Sequence, residues 1–535
     1  MTRKTIDVSS FVLFLLFLPW TLSGQEKDLY DFDFVRAAEP WLSSKNHAGL
    51  GLLDRSRIAR AEAIFTKSDG SLADIWESRD SWQAEACTES NVRISDKIAC
   101  YGKLSYIRYM GKDMGGHILM DPEYNPVNFL ESTDTTRGTK SKELYSLSGG
   151  MSYSAGKKWY IGAGVDYRAG NYAKLKDPRF QNTWMDLDAS AGVRFTPSGR
   201  FSAGMSLGYR KTTESVYGSI YGTTDKMYYI FTDYGGSFGF REQFDGDNGM
   251  ISTSSERAMF NSFYSASLQL DCSTGNGLRF FNELSFYRRS GYYGNRGSGN
   301  IVFTEHSGFS VSLESTMLCT SDRLLHMLKA GGDWSSLDNF RNIYSQSTRP
   351  GENTETLYYG KTKTLDRTDF SAHISYKVYP ASDGDLPGWS AGALFSAEGR
   401  YFISVYYPYY RSQSVTAFEL STFIEKNISI RKNILSLGAE AGYMQGTGIP
   451  ASDGEYAQGS SVKIWTDIFW LNRDFEARTA ARARGKLSVR YTWRLKKQTG
   501  LYAMLSDSFC HMLTNAEYLE SGFRNIACVT VGCIF

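Results

Sequence analysis

Long apolar runs are missing from most of this chain. After Leu18 no stretch of about 18 apolar residues occurs, so no membrane-spanning helix is expected in the body of the protein. Proline is scarce, 11 residues against 51 glycines, and no Pro-rich linker divides the chain into domains. Charge of one sign is also missing. The formal net charge of +2 excludes a global electrostatic attraction to nucleic acid. The seven cysteines are odd in number and have no zinc spacing or compact disulfide framework. The first is Cys87, far from the start, which argues against an N-terminal lipid anchor. P-loop and dinucleotide fingerprints are absent, and no cofactor is expected.

The start of the chain has the build of a secretory signal, assigned here to residues 1–24. Arg3 and Lys4 form a positive n-region, Phe11–Leu18 a short apolar core, and Leu22-Ser23-Gly24 a cleavage site before Gln25. Residues 25–57 have no regular period. They read either as a periplasmic lead-in or as a small hatch folded into a lumen.

From Ile58 the pattern changes. Aromatics make up 15% of the chain, with 35 Tyr and 32 Phe, and glycine punctuates short runs. Lys486–Leu495 illustrates the period. Leu487, Val489, Tyr491, Trp493 and Leu495 fall on one side of an extended strand, and Lys486, Ser488, Arg490, Thr492 and Arg494 on the other. Similar alternation runs through Met185–Phe195, Trp159–Arg168, Phe201–Arg210 and Leu435–Tyr443. The expected strands span 58–66, 72–89, 98–110, 143–154, 157–169, 183–195, 200–212, 259–271 and 278–288. They continue over 308–319, 323–333, 369–379, 388–403, 413–426, 432–446, 476–496, 500–510 and 523–535. The cleanest of these runs are longer than the usual soluble strand of about five or six residues and match a tilted crossing of a bilayer.

The connections sort by length. Tight links at Ala155-Gly156, Thr196–Gly199, Thr320–Asp322 and Lys497–Thr499 alternate with long ones at Gly111–Lys142, Thr213–Ala258, Arg289–Ser307, Trp334–Thr368 and Gly446–Phe475. Short turns on one side and long loops on the other mark an outer-membrane barrel. The expected fold is therefore an all-β, antiparallel, up-and-down transmembrane barrel over residues 58–535. It has about 18 strands within a range of 14 to 20, short periplasmic turns and long extracellular loops. Ser461–Trp470 is placed in an outer loop, though a crossing there with a partner strand would give twenty strands.

In such a barrel the apolar faces meet lipid, with Trp159, Tyr167, Phe195, Tyr209, Trp389, Tyr401, Tyr491 and Trp493 near the interfaces. The polar faces line the interior. Candidate lumen residues are Asp166, Arg168, Asp186, Asp188, Arg194, Arg210, Glu314, Lys377, Glu398, Arg400, Glu440, Arg490 and Arg494. Phe535, after Val529, Val531 and Cys533, resembles the C-terminal assembly signal of bacterial outer-membrane proteins. That resemblance implies recognition by the barrel-assembly machinery. A disulfide between Cys87 and Cys100 would cross a candidate hairpin.

Three segments carry a family resemblance: Glu39-Pro40-Trp41-Leu42-Ser43-Ser44-Lys45-Asn46, Ile58-Ala59-Arg60-Ala61-Glu62-Ala63 and Tyr101-Gly102-Lys103-Leu104-Ser105-Tyr106. With them the mature chain resembles large uncharacterised outer-membrane barrels of Bacteroidetes-type bacteria. The resemblance implies topology and location, and brings no substrate or catalytic residue.

A TonB-dependent receptor would carry a plug of more than a hundred residues before its barrel. Only about thirty precede the first strand here, so a self-contained receptor of that type is not expected. His373, with Ser371 and Ser375 on its face, reads as a lumen residue, and no catalytic site is expected. Asp245–Gly249 has the composition of a turn and lacks the closing Glu of a calcium loop. The function expected is a porin-like or gated channel for small polar solutes. The alternatives are a surface-interaction barrel displaying Tyr-rich loops such as Ser215–Phe240, and a lipid hydrolase. Expected partners are outer-membrane lipids, a small polar solute or surface partner, and the assembly machinery.

Overall fold

The computed structural model describes residues 29–535 except 75–76, 132–133, 222–225, 245–249, 251–256, 298, 349–352, 382–384, 459–464, 467, 497 and 520–521. The expected signal sequence, the Asp245–Gly249 turn and the first part of Ser461–Trp470 lie outside the described residues.

The strands in chain order are β1 (Arg57–Gly70), β2 (Asp80–Arg93), β3 (Ile98–Met114), β4 (Asn128–Glu131), β5 (Gly138–Ser154), β6 (Trp159–Lys174), β7 (Arg179–Ser198) and β8 (Phe201–Ser219). Next come β9 (Tyr229–Asp233), β10 (Phe238–Gln243), β11 (Arg257–Ser273), β12 (Leu278–Gly294), β13 (Val302–Thr320), β14 (Leu324–Ser347) and β15 (Glu355–Pro380). The last are β16 (Trp389–Tyr406), β17 (Tyr409–Ile430), β18 (Asn433–Glu455), β19 (Trp465–Thr466), β20 (Arg482–Arg494), β21 (Gly500–Met512) and β22 (Phe523–Ile534). Eighteen of them form one antiparallel sheet in chain order, and β1 pairs with β22 from Arg60↔Ile534 to Gly70↔Arg524, closing the barrel. Closure leaves no edge, which is what a sheet needs where no water can satisfy its backbone.

The alternation explains the wall. Trp159, Ile161, Val165, Leu207, Leu284, Leu487 and Val489 are exposed on the outer surface, while Asp186, Arg194, Ser206, Gln269 and Thr492, on the opposite face of their strands, are buried. A soluble protein does not present so continuous an apolar exterior. The chain is an outer-membrane β-barrel, with its short turns and both ends of the wall on the periplasmic side.

The strand ends depart from the sequence reading. Trp334–Thr368, expected as a loop, is strand up to Ser347 and again from Glu355. Arg289–Ser307 narrows in the same way between β12 and β13. These extensions stand beyond the bilayer, where both faces are wet and alternation is lost. Lys361, Thr362, Lys363 and Thr364 put polar groups on both sides. The run expected at 72–89 begins only at Asp80. The run expected at 476–496 begins at Arg482, because residues before it belong to helix α2 (Ile468–Thr479). Trp470, Leu471 and Ala477 recur at helical spacing and are buried, Trp470 against Leu130 and Phe231, Leu471 against Leu365 and Phe402, and Ala477 against Leu72 and Leu519. The cysteines are all free. Cys87 lies opposite Ser105 and Cys100 opposite Val92, five residues along the strand, or roughly 17 Å, too far for a bridge.

Two elements fill the lumen. From the outside, β4, β9, β10 and β19 form a second small sheet, and with α2 they make a cap. Its apolar residues Ile118, Val127, Phe129, Ile230 and Phe244 pack against Tyr172, Phe180, Val216, Met259 and Tyr293 of the wall. The loop Ser215–Phe240 enters this cap; Ile230, Phe231, Tyr234 and Phe238 are buried rather than displayed. At the periplasmic end lies residues 29–56, with helix α1 (Phe32–Ala38) and two 3-10 turns, Pro40–Ser43 and His47–Leu52.

The face assignment makes a direct prediction for β20. Val489→Arg places a cation toward lipid and should cost about 2–4 kcal/mol of folding stability near the bilayer centre. Arg490→Gln should fold as the parent does. Urea titration of the folded band on unheated gels measures both, and equal midpoints would reverse the assignment.

Candidate functional site

The interior between the two fillings is the candidate site. Residues 29–56 continue directly into β1 and cross the lumen to the far wall. On the near side Tyr30, Phe32, Leu42, Leu50 and Leu53 pack with Ile58, Ala99, Tyr502 and Ile534. Tyr30 Oη donates to the Phe535 carbonyl at 3.0 Å and accepts from the Ala59 amide at 2.8 Å. On the far side, β7 to β12, the contacts are polar. Glu39 takes two bonds from Arg279, at 2.8 and 2.9 Å. Trp41 Nε1 donates to Asp271 at 2.7 Å, and its ring meets Phe281 edge-on at 5.2 Å. The Lys45 amide donates to Glu283 at 3.0 Å, and Asn46 Nδ2 to Gln269 at 3.0 Å.

Small residues on the wall make this docking possible. A methyl group on Gly162 would lie 2.1 Å from the Ala48 nitrogen, and one on Gly164 2.2 Å from the His47 ring. In sequence these glycines look like ordinary members of a polar face. In the barrel they are the floor on which the segment rests.

The expected lumen residues fall into several groups rather than one ring. Asp186 is buried and binds both Arg168 and Arg210; Arg210 meets it through two bonds, 2.8 and 2.9 Å. Asp188 stands directly opposite Asp166 across the β6–β7 pair. Arg194 is buried over the rings of Tyr160, at 4.6 Å, and Trp41, at 5.2 Å. Arg400 binds Asp369 at 2.8 Å, and Glu398 is 4.0 Å from Arg478 of α2. Glu314 is 3.4 Å from His373, while Ser371 donates to Asp333. Lys377 lies over Phe423, and Glu440 accepts from Arg484 at 3.3 Å. Arg490 reaches Asp31 of the segment at 3.5 Å and Glu425 of the wall at 3.9 Å. Arg494 lies apart, near the periplasmic rim, where its amide binds Asn433. Phe535 is held by its own amide on Ala59 and by Arg57 over its ring.

Arg194, Arg490 and Glu398 meet the fillings as expected lumen residues, but most of their partners were left unassigned by the sequence. Asp31, Glu39, Trp41, Asn46 and His47 sit in the aperiodic segment, and Asp271 and Arg279 flank a turn. Only the block Glu39–Asn46 carried a signal, through the family resemblance.

The family described as "Family of unknown function (DUF6850)" matches residues 47–535, and its description names neither an activity nor a bacterial group. No curated protein matches the chain in sequence. Among solved structures, the ferric preacinetobactin receptor BauA of Acinetobacter baumannii aligns over 88% of this chain and 80% of its own at 10% identity, TM-score 0.35. The ferric enterobactin receptor PfeA of Pseudomonas aeruginosa aligns over 89% and 81% at 10% identity, TM-score 0.39. The transporter YddB of Escherichia coli aligns over 90% and 81% at 8% identity, TM-score 0.39. Likeness at this level transfers no ligand.

His47 gives the segment a pH dependence. Its Nδ1 is 3.3 Å from Ser190 Oγ, and burial holds its pKa below the ordinary value, against the opposing pull of Asp166. Docking therefore favours the neutral ring. Its contribution is complete above the free value near 6.5 and is lost as pH falls through the docked pKa. Protease nicking within residues 29–56 should increase from pH 7.5 to 5 in wild type and stay level in His47→Gln. Equal acid sensitivity in both would remove His47 as the cause.

Proposed function

The chain belongs to that family of unknown function, and from its own geometry we propose that it is a gated channel for small polar solutes, in which residues 29–56 are a hinged hatch. One observation carries this reading. Four of the wall charges that grip the hatch through an ion pair keep a second partner within the wall; Asp385, in the β15–β16 turn, is held by Arg55 beside the hinge. Arg279 binds Asp271 as well as Glu39. Arg60 binds Glu89 as well as Asp33, and Arg490 has Glu425 as well as Asp31. Glu89, bound by Arg36 of the hatch, keeps Arg60 and Tyr101. Hatch departure about a hinge that keeps Arg55 on Asp385 therefore leaves these four charges paired, and avoids the large penalty of breaking a buried ion pair.

The cap is built the other way. Glu131 of β4 binds both Lys140 and Lys174 of the wall, and all three are buried. Lys140 also donates to the carbonyls of Gly115 and His117. Pulling the cap out would strand two buried ammonium groups. The hatch is the part that moves, and the apolar cluster around Leu53 and Ile58 is its hinge. The C-terminal strand ending at Phe535 is proposed as the part read by the assembly machinery.

A second reading, a surface-interaction barrel, is favoured by the tall hairpins β14–β15 and β16–β17. They hold Tyr359 and Tyr407 about two-thirds exposed beyond the bilayer.

Planar-bilayer recording tests the channel. Wild type should open rarely. Gly162→Leu, which fills the hatch's resting place without touching a charge, should raise the open fraction about tenfold or more, since each lost polar bond is worth roughly 1 kcal/mol. Glu39→Gln combined with Asn46→Ala should act alike. If Gly162→Leu, the latch double variant and a protein lacking residues 29–52 all remain non-conducting, the channel reading fails.

A further inference from the structure

Beneath the cap, one turn reaches into the centre of the lumen. It is Asp121-Pro122-Glu123-Tyr124-Asn125, between β3 and β4. Its contacts come from widely separated strands. The Tyr124 ring lies 4.4 Å from the Arg289 guanidinium of β12 and 5.5 Å from that of Arg210 of β8. Phe263 of β11 packs beside it at 5.8 Å, and the same two guanidinium groups lie over Phe263 at 5.4 and 5.5 Å. The Glu123 carbonyl accepts from Arg367 at 3.2 Å, and its carboxylate binds Arg478.

Arg289 is the unusual member. Arg210 is matched by Asp186, and Arg367 and Arg400 share Asp369. Arg289 has no carboxylate within ion-pair distance among the described residues. Its bonds go to Asn261 Oδ1, at 2.8 and 3.1 Å, which also receives His306 Nε2 at 2.6 Å. A guanidinium inside a barrel with only an amide oxygen and two rings for company has room for an anion. Acids do face the neighbourhood. Asp188 lies by Arg210, and Asp333 and Glu398 line a cavity of about 220 Å³ beside Glu123. They sit toward β7 and β14–β16, and Asp121 of the turn itself acts on Arg289 only from beyond ion-pair distance, so the positive excess is localised at Arg289.

We infer that Arg210, Arg289, Arg367 and Phe263 form a luminal binding site for a small anion carrying an aromatic ring, and that the Glu123–Tyr124 turn occupies it as a tethered stand-in. The ring of such a solute takes the place of Tyr124 between the guanidinium groups and Phe263. Its anionic group lies between Arg367, which here binds the Glu123 carbonyl, and the neighbouring Arg289, whose unmatched charge it meets. The inference gives the proposed channel a solute class, and rests on that reading for its purpose. Binding, rather than conduction, is what its test reads.

The probe is 4-hydroxybenzoate, measured calorimetrically on the detergent-purified full chain, with acetate and phenol as controls. Removing the stand-in with Glu123→Gln and Tyr124→Ala should tighten probe binding about tenfold, because the site is no longer self-occupied. Acetate, lacking the ring, and phenol, lacking the charge, should bind at least about tenfold more weakly than the probe. Adding Arg289→Gln should abolish the gain. Tyr124→Leu, which keeps the bulk of the turn, should reproduce the ranking if the double variant does not fold. Equal probe binding by wild type and either turn variant overturns the inference, as does undiminished binding after Arg289→Gln. If the probe binds as expected while every hatch variant stays closed, the site stands and the channel reading falls.

Discussion

Within hydrocarbon no water is available to a backbone amide, and this requirement organises the whole molecule. It forces β1 onto β22 and removes every edge from the wall. Eighteen strands closed in this way enclose more space than their own side chains can fill. Barrels of that size usually hold an aqueous channel, whereas plugged lumens are typical of wider ones. Here the porin-sized wall is occupied from both ends. The chain places an aperiodic segment at one end and a sheet folded from its loops at the other.

The two fillings differ in how their charges are matched, and under the proposed gating that difference separates a fixed part from a movable one. The cap brings apolar surface and a buried carboxylate that satisfies two wall lysines, so wall and cap are stable only together. The hatch grips charges already satisfied by their neighbours in the wall. Its bonds add stability when made, yet breaking them exposes groups that remain paired. The hinge follows from the same logic. The apolar cluster of Leu42, Leu50 and Leu53 lies on the side where the segment is covalently joined to β1, and the bonds of Glu39, Trp41 and Asn46 lie seven or so strands away around a wall of eighteen.

The wall was legible because lipid and lumen impose opposite demands at a period of two. Leu487, Val489 and Trp493 announce one solvent and Arg490 the other, and each of the eighteen expected strands is present. Legibility stopped where that contrast stops. Beyond the bilayer β14 and β15 run on through residues that are polar on both faces, so they read as loop. Helix α2 reads as outer loop up to Phe475 and as the start of a strand over its last turn, because its apolar residues have no period of two. The site was less legible still. Gly162 and Gly164 carry no chemistry of their own; their meaning comes from His47 and Ala48, more than a hundred residues earlier. Arg210 and Asp186 could be assigned to the lumen face, but that Arg289 has no carboxylate at ion-pair distance among the described residues is a property of the assembled wall and of no segment.

Under the proposed channel reading, wall height decides where a solute meets the barrel. β14 and β15 are 24 and 26 residues long, while β20, β21 and β22 are 13, 13 and 12. The outer rim is therefore low on the β20–β22 side, and there a cavity of about 660 Å³ lies beside the cap, lined by Asp74, Glu77, Arg482, Arg484 and Arg524. Below it the inward face of β20 continues through Lys486 to Arg490, with side chains two residues apart spaced at roughly 6.7 Å. Arg490 is the residue that touches Asp31 of the hatch. Under the proposed gating, the low rim, the cationic face of β20 and the hatch lie on one line. The strand whose alternation first identifies the membrane also connects the outer opening to the part that closes the inner one.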